Sequence, residues 1–262
     1  HIETSIENPD KLKGAYTLKT LIVDSSGAKI ADVKNKVSFK EEGVTIVNQS
    51  LSVNSPILWE LDNPYQYRAL SKLYRGGKII DTYETNFGIR TIEYSAEKGF
   101  LLNGRQERFK GVCLHHDLGP LGAAVNYRAT ERQLQIMKKM GVNAIRTSHN
   151  PPSPEQLEIC DKLGILVQVE AFDCWKNGKV ENGYNKYWDE WYERDLRDMI
   201  KRDRNHPSVI MWSIGNEIKE QRMKTGGAMA AHLVAICHEE DPTRPVTAGF
   251  NSYPACINNG LA

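Results

Sequence analysis

Between residues 1 and 95 the chain alternates apolar and polar residues in short runs, at 16–23, 29–33, 37–39, 44–53, 67–74 and 78–87. A period of two belongs to strands with one covered face. Turn residues separate the runs: Asp24-Ser25-Ser26-Gly27, Glu42-Gly43, Asp62-Asn63-Pro64 and Gly76-Gly77. Strands at this spacing, with no helical period between them, predict an all-β, antiparallel sandwich of immunoglobulin-like size over residues 1–95. No cysteine precedes Cys113, so a disulfide-pinned, antibody-type domain is excluded. Trp59 and Tyr67 are expected in the core or at a domain interface.

Over residues 96–262 the period changes. An apolar strand at 109–114 is followed by a long loop, then by Thr130-Glu131-Arg132-Gln133, which reads as a capping box. The helix it opens places Leu134, Met137 and Met140 on one face and closes at Gly141. A second strand at 142–147 leads to another capping box, Ser153-Pro154-Glu155-Gln156, with proline at the first helical position. The cycle continues with a strand at 165–169, a helix at 187–204, a strand at 209–217, a helix at 224–239 and a strand at 245–248. Continuously apolar strands alternating with helices predict a parallel sheet, either open and doubly wound or closed as a (β/α)8 barrel. Neither G-x-G-x-x-G nor a Walker loop follows the first strand, which disfavours dinucleotide binding.

Composition narrows the class. The 262 residues carry 34 Lys and Arg against 33 Asp and Glu, a net charge of +1. No nucleic-acid partner is expected from that balance. No apolar run reaches membrane-spanning length and no signal peptide opens the chain, so no membrane partner is expected. The chain begins at His1, and its compartment is not read from it. The five cysteines form no C-x-x-C pair and are expected as free structural thiols.

Chemistry gathers at the carboxyl ends of the strands, where a barrel keeps its active site. Those ends hold His115-His116-Asp117, Arg146-Thr147-Ser148-His149-Asn150, Glu170 with Asp173 and Trp175, Asn216-Glu217, and Asn251. Polar groups at successive ends of apolar strands predict a pocket. Plainer roles stand beside that reading. His115 and His116 suit hydrogen-bonded loop positions, Arg146 suits an ion pair with Glu170, and Trp175 suits a hydrophobic plug. Glu217 fits a structural role least, because burying an unpaired carboxylate is costly. Adjacent rather than alternating histidines weaken a metal-hydrolase reading, and no G-x-S-x-G elbow occurs. Carboxylate chemistry remains: one acid protonates a leaving oxygen while a second carboxylate attacks or activates water.

Several motifs then coincide. They are Trp59-Glu60-Leu61-Asp62-Asn63-Pro64-Tyr65, Phe87-Gly88-Ile89-Arg90, Leu102-Asn103-Gly104, Arg146-Thr147-Ser148-His149, Arg202-Asp203-Arg204-Asn205-His206-Pro207-Ser208, Trp212-Ser213-Ile214-Gly215-Asn216-Glu217 and Asp241-Pro242-Thr243-Arg244-Pro245. In these the chain resembles glycoside hydrolase family 2, the β-galactosidase, β-glucuronidase and β-mannosidase group, and most of all a β-galactosidase. The resemblance implies the sandwich followed by a (β/α)8 barrel, a retaining mechanism without cofactor, and a carbohydrate partner. It also implies Glu217 as general acid/base and Asn216 as the contact to the sugar 2-hydroxyl. His115, Asp117, Arg146, His149, Asn150, Glu170 and Trp175 are then expected to line the sugar subsite. A metal site is not expected, since the region after the third strand reads Glu170-Ala171-Phe172-Asp173 and lacks the Glu-x-His of related galactosidases.

Two departures shape the remaining expectations. The sugar-binding-type domain that precedes the sandwich in this family is absent, and no acid after Glu217 falls at a strand end to serve as nucleophile. The chain is therefore expected to be an internal fragment holding the first half of the barrel, inactive alone, that self-associates through its open side or else leaves the segment from about Thr247 disordered or displaced. The alternatives are a non-catalytic carbohydrate-binding module, or glucuronide or mannoside specificity.

Overall fold

Strand β2, Tyr16–Val23, buries Tyr16, Leu18, Thr20 and Ile22 and turns the residues between them outward. That alternation seats it at the centre of a four-stranded antiparallel sheet, in the order β3-β2-β5-β6 with β3 Lys29–Val37, β5 Tyr67–Arg75 and β6 Lys78–Phe87. Two further strands, β1 Ile2–Glu7 and β4 Val44–Gln49, pair antiparallel as a second sheet. Tyr16, Leu18 and Leu73 of the first sheet share a core with Val47 and Ile6 of the second, which makes the unit a sandwich. Thr20 is buried among them, and a buried hydroxyl needs a partner. It donates to Gln49 Oε1 at 2.6 Å, a polar stitch between the two sheets. The run expected at 29–33 extends to Val37 in β3, which takes in only the first residue of the run expected at 37–39, and β1, with Ile2 and Ile6 as its apolar residues, was not expected.

A computed structural model describes residues 1–9, 11, 13–39 and 43–261. Glu42 of the expected turn and Ala262, the last residue of the expected second domain, lie outside the described residues. The chain divides into two compact units, 1–59 with 65–89, and 60–64 with the residues from Arg90 onward. The change of pattern expected after residue 95 thus falls a few residues later than the division in space. The reason is a small antiparallel sheet in the second unit, β7 Ile92–Ser95, β8 Gly99–Leu102 and β9 Arg105–Gln106, which ties 92–95 to the second unit rather than the first.

The rest of the second unit alternates strand and helix: β10 Gly111–Leu114, α1 Tyr127–Lys139, β11 Ala144–Thr147, α2 Pro154–Leu163, β12 Leu166–Glu170, α3 Trp188–Asp203, β13 Val209–Asn216, α4 Gly226–Glu240, β14 Val246–Gly249 and α5 Tyr253–Asn258. The five strands pair in parallel in the order β10-β11-β12-β13-β14, the first half of a (β/α)8 barrel. Ile145, Val167, Val169, Trp212 and Ile214 join Leu134, Leu157, Leu196, Ile200 and Leu233 from the helices in one core. The register places Cys113, Arg146, Gln168 and Met211 side by side across four strands. This row is not buried and lines a shallow cavity with Phe109 and Gly111. On this second face apolar side chains such as Leu166 and Met211 stand beside the polar Arg146, Gln168 and Glu170, and the polar residues lead toward the carboxyl ends.

Caps fix the helix starts. Ser153 accepts a hydrogen bond from Gln156 N at 3.3 Å with Pro154 behind it, as the sequence predicts. The first helix differs. Asn126, not Thr130, is its cap and accepts from Ala129 N at 3.0 Å, while Thr130 sits in the first turn and donates to the Asn126 carbonyl. An asparagine cap is as effective as a threonine. Gly164 ends α2 at φ 65°, and a Cβ there would collide with the Leu61 carbonyl oxygen.

The amino end of β13 is held by a dense set of hydrogen bonds. Arg244 donates to the Val209 carbonyl at 2.7 Å and to Asp241 at 2.6 Å, and Asp241 also takes the Trp212 indole N–H at 2.9 Å. Arg90 donates to the carbonyls of Pro207 and Val209. His206 Nδ1 lies 2.6 Å from the buried Asp161, which also accepts the Ser208 amide at 3.0 Å. The 202–206 run, which reads as a charged helix end, is a framework network with Asp203 fully buried.

Burial alone would lower the His206 imidazolium, yet the hydrogen bond and charge of Asp161 and the charge of Asp203 hold it above the ordinary histidine value. A folded value above the unfolded one means that the stabilisation is complete below the ordinary value of 6.5 and is lost as pH rises through the folded value. Urea midpoints at pH about 6 and about 8.5 should show that loss, and His206→Gln should flatten the difference. Equal slopes in both proteins would remove His206 as its source.

Candidate active site

Alternation along β11 and β12 turns Arg146 and Glu170 to the same side of the sheet, one residue short of and at the strand ends. Glu170 is fully buried, so its charge requires partners. Arg146 Nε reaches Oε2 at 3.0 Å, and Nη2 reaches Oε2 at 2.7 Å and Oε1 at 3.0 Å, a forked pairing. His149 Nδ1 lies 2.6 Å from Oε1, and Ser213 of β13 donates to Oε2 at 2.6 Å. The Glu170 amide donates to Thr147 Oγ1 at 2.9 Å. Burial would lower Arg146, but the hydrogen bonds and charge of Glu170 hold it above its ordinary value. Arg146 therefore stays a fixed cation at the floor of the site.

The same guanidinium orients Asn216. Arg146 Nη2 donates to Asn216 Oδ1 at 2.9 Å, and Asn216 Nδ2 donates to Asp173 Oδ1 at 3.1 Å. A donor-only group on one side and a carboxylate on the other settle which way the amide points. One N–H of Nδ2 stays free to donate to a ligand hydroxyl. Gly249 of β14 makes the approach possible, since a Cβ there would collide with Arg146 Nη2. Lys179, on the loop after β12, donates to Asp173 at 2.8 Å and to the Asn216 carbonyl at 2.7 Å. Burial would raise the Asp173 carboxyl; the bonds from Lys179 and Asn216 hold it below the ordinary value.

Glu217 is the next residue along the chain. Its side chain is exposed. What marks it is the backbone, at φ 40°. A side chain in the left-handed region is strained, and such strain persists only where surroundings enforce it. Its amide donates to the Gly249 carbonyl at 2.6 Å. The outcome is a solvent-facing carboxyl next in sequence to an oriented amide, a pairing suited to proton transfer.

The other expected residues are distributed unevenly. His115 joins through an edge-on ring contact with His149 at 5.1 Å. Asp117 is exposed but turned to its own loop, where Oδ1 accepts the Gly119 amide at 2.9 Å. Asn150 is exposed and lies outside the hydrogen-bonded cluster. Glu170 and Trp175 are both fully buried. Glu170 braces Arg146. Trp175 donates to the Ile214 carbonyl at 2.7 Å and stacks on Trp188, and its ring takes the space where a Cβ on Gly215 would be. Ser213, Gly249 and Lys179 have site contacts that the sequence did not reveal. Among the described residues no group of three or more His, Cys, Asp or Glu is placed to hold a metal ion.

Comparison with known proteins places these features in a family. The model "Glycosyl hydrolases family 2, TIM barrel domain" matches residues 94–257, and "Glycosyl hydrolases family 2" matches residues 1–90. The chain is 42% identical to beta-galactosidase BoGH2A of Bacteroides ovatus, over 96% of its own length and 33% of that protein. It is 31% identical to a beta-glucuronidase of Bacteroides fragilis, over 91% of its length and 34% of that protein. A solved structure of a glycosyl hydrolase family 2 member from Bacteroides cellulosilyticus superposes with a TM-score of 0.95 at 43% identity, covering 98% of this chain and 33% of the other. The chain thus spans about a third of the length of the relatives it matches.

Proposed function

The chain belongs to glycosyl hydrolases family 2, and we propose that it is part of a retaining exo-β-glycosidase of β-galactosidase type with Glu217 as general acid/base. The observation that carries this reading is the Asn216-Glu217 pair at the end of β13, with the amide oriented from both sides and the carboxyl exposed on a strained backbone. Glu217 donates its proton to the glycosidic oxygen as the C1–O bond breaks and a second carboxylate attacks C1. It then takes a proton from the water that displaces that carboxylate, and β configuration is kept. The free Asn216 N–H meets the hydroxyl beside C1, and Arg146, His149 and His115 form the floor of the subsite. The β-galactosidase reading follows the B. ovatus relative; glucuronide specificity is the second reading, favoured by the B. fragilis relative.

Retaining chemistry needs two carboxyls about 5–5.5 Å apart. Glu170 is committed to Arg146 and Asp173 to Lys179 and Asn216, and none of Glu220, Glu239, Glu240 and Asp241 lies at a strand end in the site. The chain by itself is therefore expected to leave aryl β-galactosides and aryl β-glucuronides intact, while the full-length protein carrying it hydrolyses one of them with retention. Turnover by the 262-residue chain that disappears in Glu217→Gln would show that the second carboxylate is already present. Inversion by the full-length protein, seen by proton NMR of the first-formed anomer, would end the proposed mechanism.

We also propose that the isolated chain self-associates. Among the described residues β10 and β14 each pair on one side only, and unpaired strand edges are templates for association. Sedimentation that gives a single monomeric species across the accessible concentration range would overturn this.

A further inference from the structure

The peptide joining Asn216 to Glu217 is held at both ends. A peptide unit is planar, so its carbonyl oxygen and its N–H turn together. Lys179 Nζ holds the Asn216 carbonyl at 2.7 Å, and the Gly249 carbonyl holds the Glu217 N–H at 2.6 Å. With both ends fixed, the plane has no freedom to rotate, and the next torsion is Glu217 φ, which stands at 40°. A glutamate released from such a clamp would relax toward ordinary negative φ. Its carboxyl would then be carried to a different position.

Lys179 is itself placed in advance. The Asn177 amide and side chain both donate to Glu220 Oε1, at 2.7 and 2.8 Å, and Lys219 donates to the Gly178 carbonyl at 2.5 Å. The loop that bears Lys179 is thus pinned to the segment just after Glu217. Its ammonium is mostly covered, with 22% of the side chain exposed, and also pairs with Asp173, the acceptor for Asn216 Nδ2. One cation therefore acts on the Asn216 backbone directly and on its side chain through Asp173.

We propose that Lys179 is a positioning residue that holds Glu217 in its reactive orientation; this rests on the reading of Glu217 as the acid/base. The group does not touch the reacting atoms. Its removal should act on the chemical step and leave ligand affinity nearly intact.

In the full-length enzyme carrying this segment, Lys179→Met should lower kcat roughly ten- to hundredfold on an aryl β-glycoside that the wild type turns over, with KM little changed. Lys179→Arg, which keeps a cation and several donors, should recover part of the loss. In the Glu217→Gln background, Lys179→Met should add little, because the two residues serve one step. The Glu217 amide should also exchange with deuterium faster in Lys179→Met. If that variant fails to fold, Lys179→Gln, which removes the charge but keeps an NH2 donor group, carries the same test. A normal kcat in Lys179→Met, with Glu217→Gln inactive, overturns the role of Lys179 alone. A raised KM at unchanged kcat overturns it too, by making Lys179 a ligand contact. Full activity in Glu217→Gln overturns the reading beneath it, whatever Lys179 does.

Discussion

Glu217→Gln in the full-length enzyme is expected to lower kcat by roughly 10²- to 10⁴-fold on glycosides with alkyl leaving groups, the range for a positioned general acid or base. The substitution keeps the shape of the side chain and removes its proton. Glu217 is exposed and its amide, not its carboxylate, bonds to Gly249, so the melting temperature should hardly move. The leaving group supplies the sharper test. A dinitrophenolate departs without protonation, so the first step should survive in the variant while the second, which needs a base to take a proton from water, remains slow. A covalent glycosyl-enzyme should accumulate, seen as a burst of dinitrophenolate followed by slow turnover. Azide needs no base, and in Glu217→Ala it should restore turnover by trapping the sugar as a β-glycosyl azide. A loss of equal size for alkyl and dinitrophenyl glycosides, with no azide effect, would assign Glu217 to substrate binding rather than proton transfer.

The strands and most of the helices were legible because periodicity reports burial, and burial is what β2, β11, β12 and α3 are built around. Strand β1, with its shallow alternation, and the short sheet of β7 to β9 were not, since their pairing is decided by tertiary partners. At the site, the carboxyl-end position of Asn216 and Glu217 followed from the length of the apolar run before them. The pairing of Arg146 with Glu170 followed from adjacent strand ends. Lys179 lies 37 residues before Asn216, to which it bonds, and nothing in a loop of Lys, Asn and Gly marks that reach. Gly249 is equally silent: its role is an absent side chain that leaves room for Arg146. The burial of Trp175 could not be read because a tryptophan on a strand-end loop suits a sugar ring and a core equally well. The deciding fact is the Ile214 carbonyl that takes its indole N–H.

Arg146→Met should destabilise the second unit by roughly 3–5 kcal/mol, the cost of leaving a buried charge without its counter-ion. Arg146 contributes three of the hydrogen bonds that reach the Glu170 carboxylate, and Glu170 has no exposed surface through which water could replace them. Ser213 and His149 would remain, but the serine carries no charge, and an imidazole bonded through Nδ1 is cationic only when protonated. Asn216 would lose the partner of its Oδ1 in the same step, so the amide could turn over and the free N–H beside Glu217 would no longer be fixed. The effect should therefore appear twice: in the urea midpoint of the unit containing β10 to β14, and in kcat of the full-length enzyme at temperatures where the variant is still folded. A cycle separates pairing from packing. Glu170→Gln removes the charge that Arg146 answers, so Arg146→Met made in that background should cost clearly less than it does alone. If the two substitutions add without coupling, the fork between Arg146 and Glu170 contributes nothing beyond the volume of its side chains, and the ordering of Asn216 must come from Asp173 and Lys179 alone.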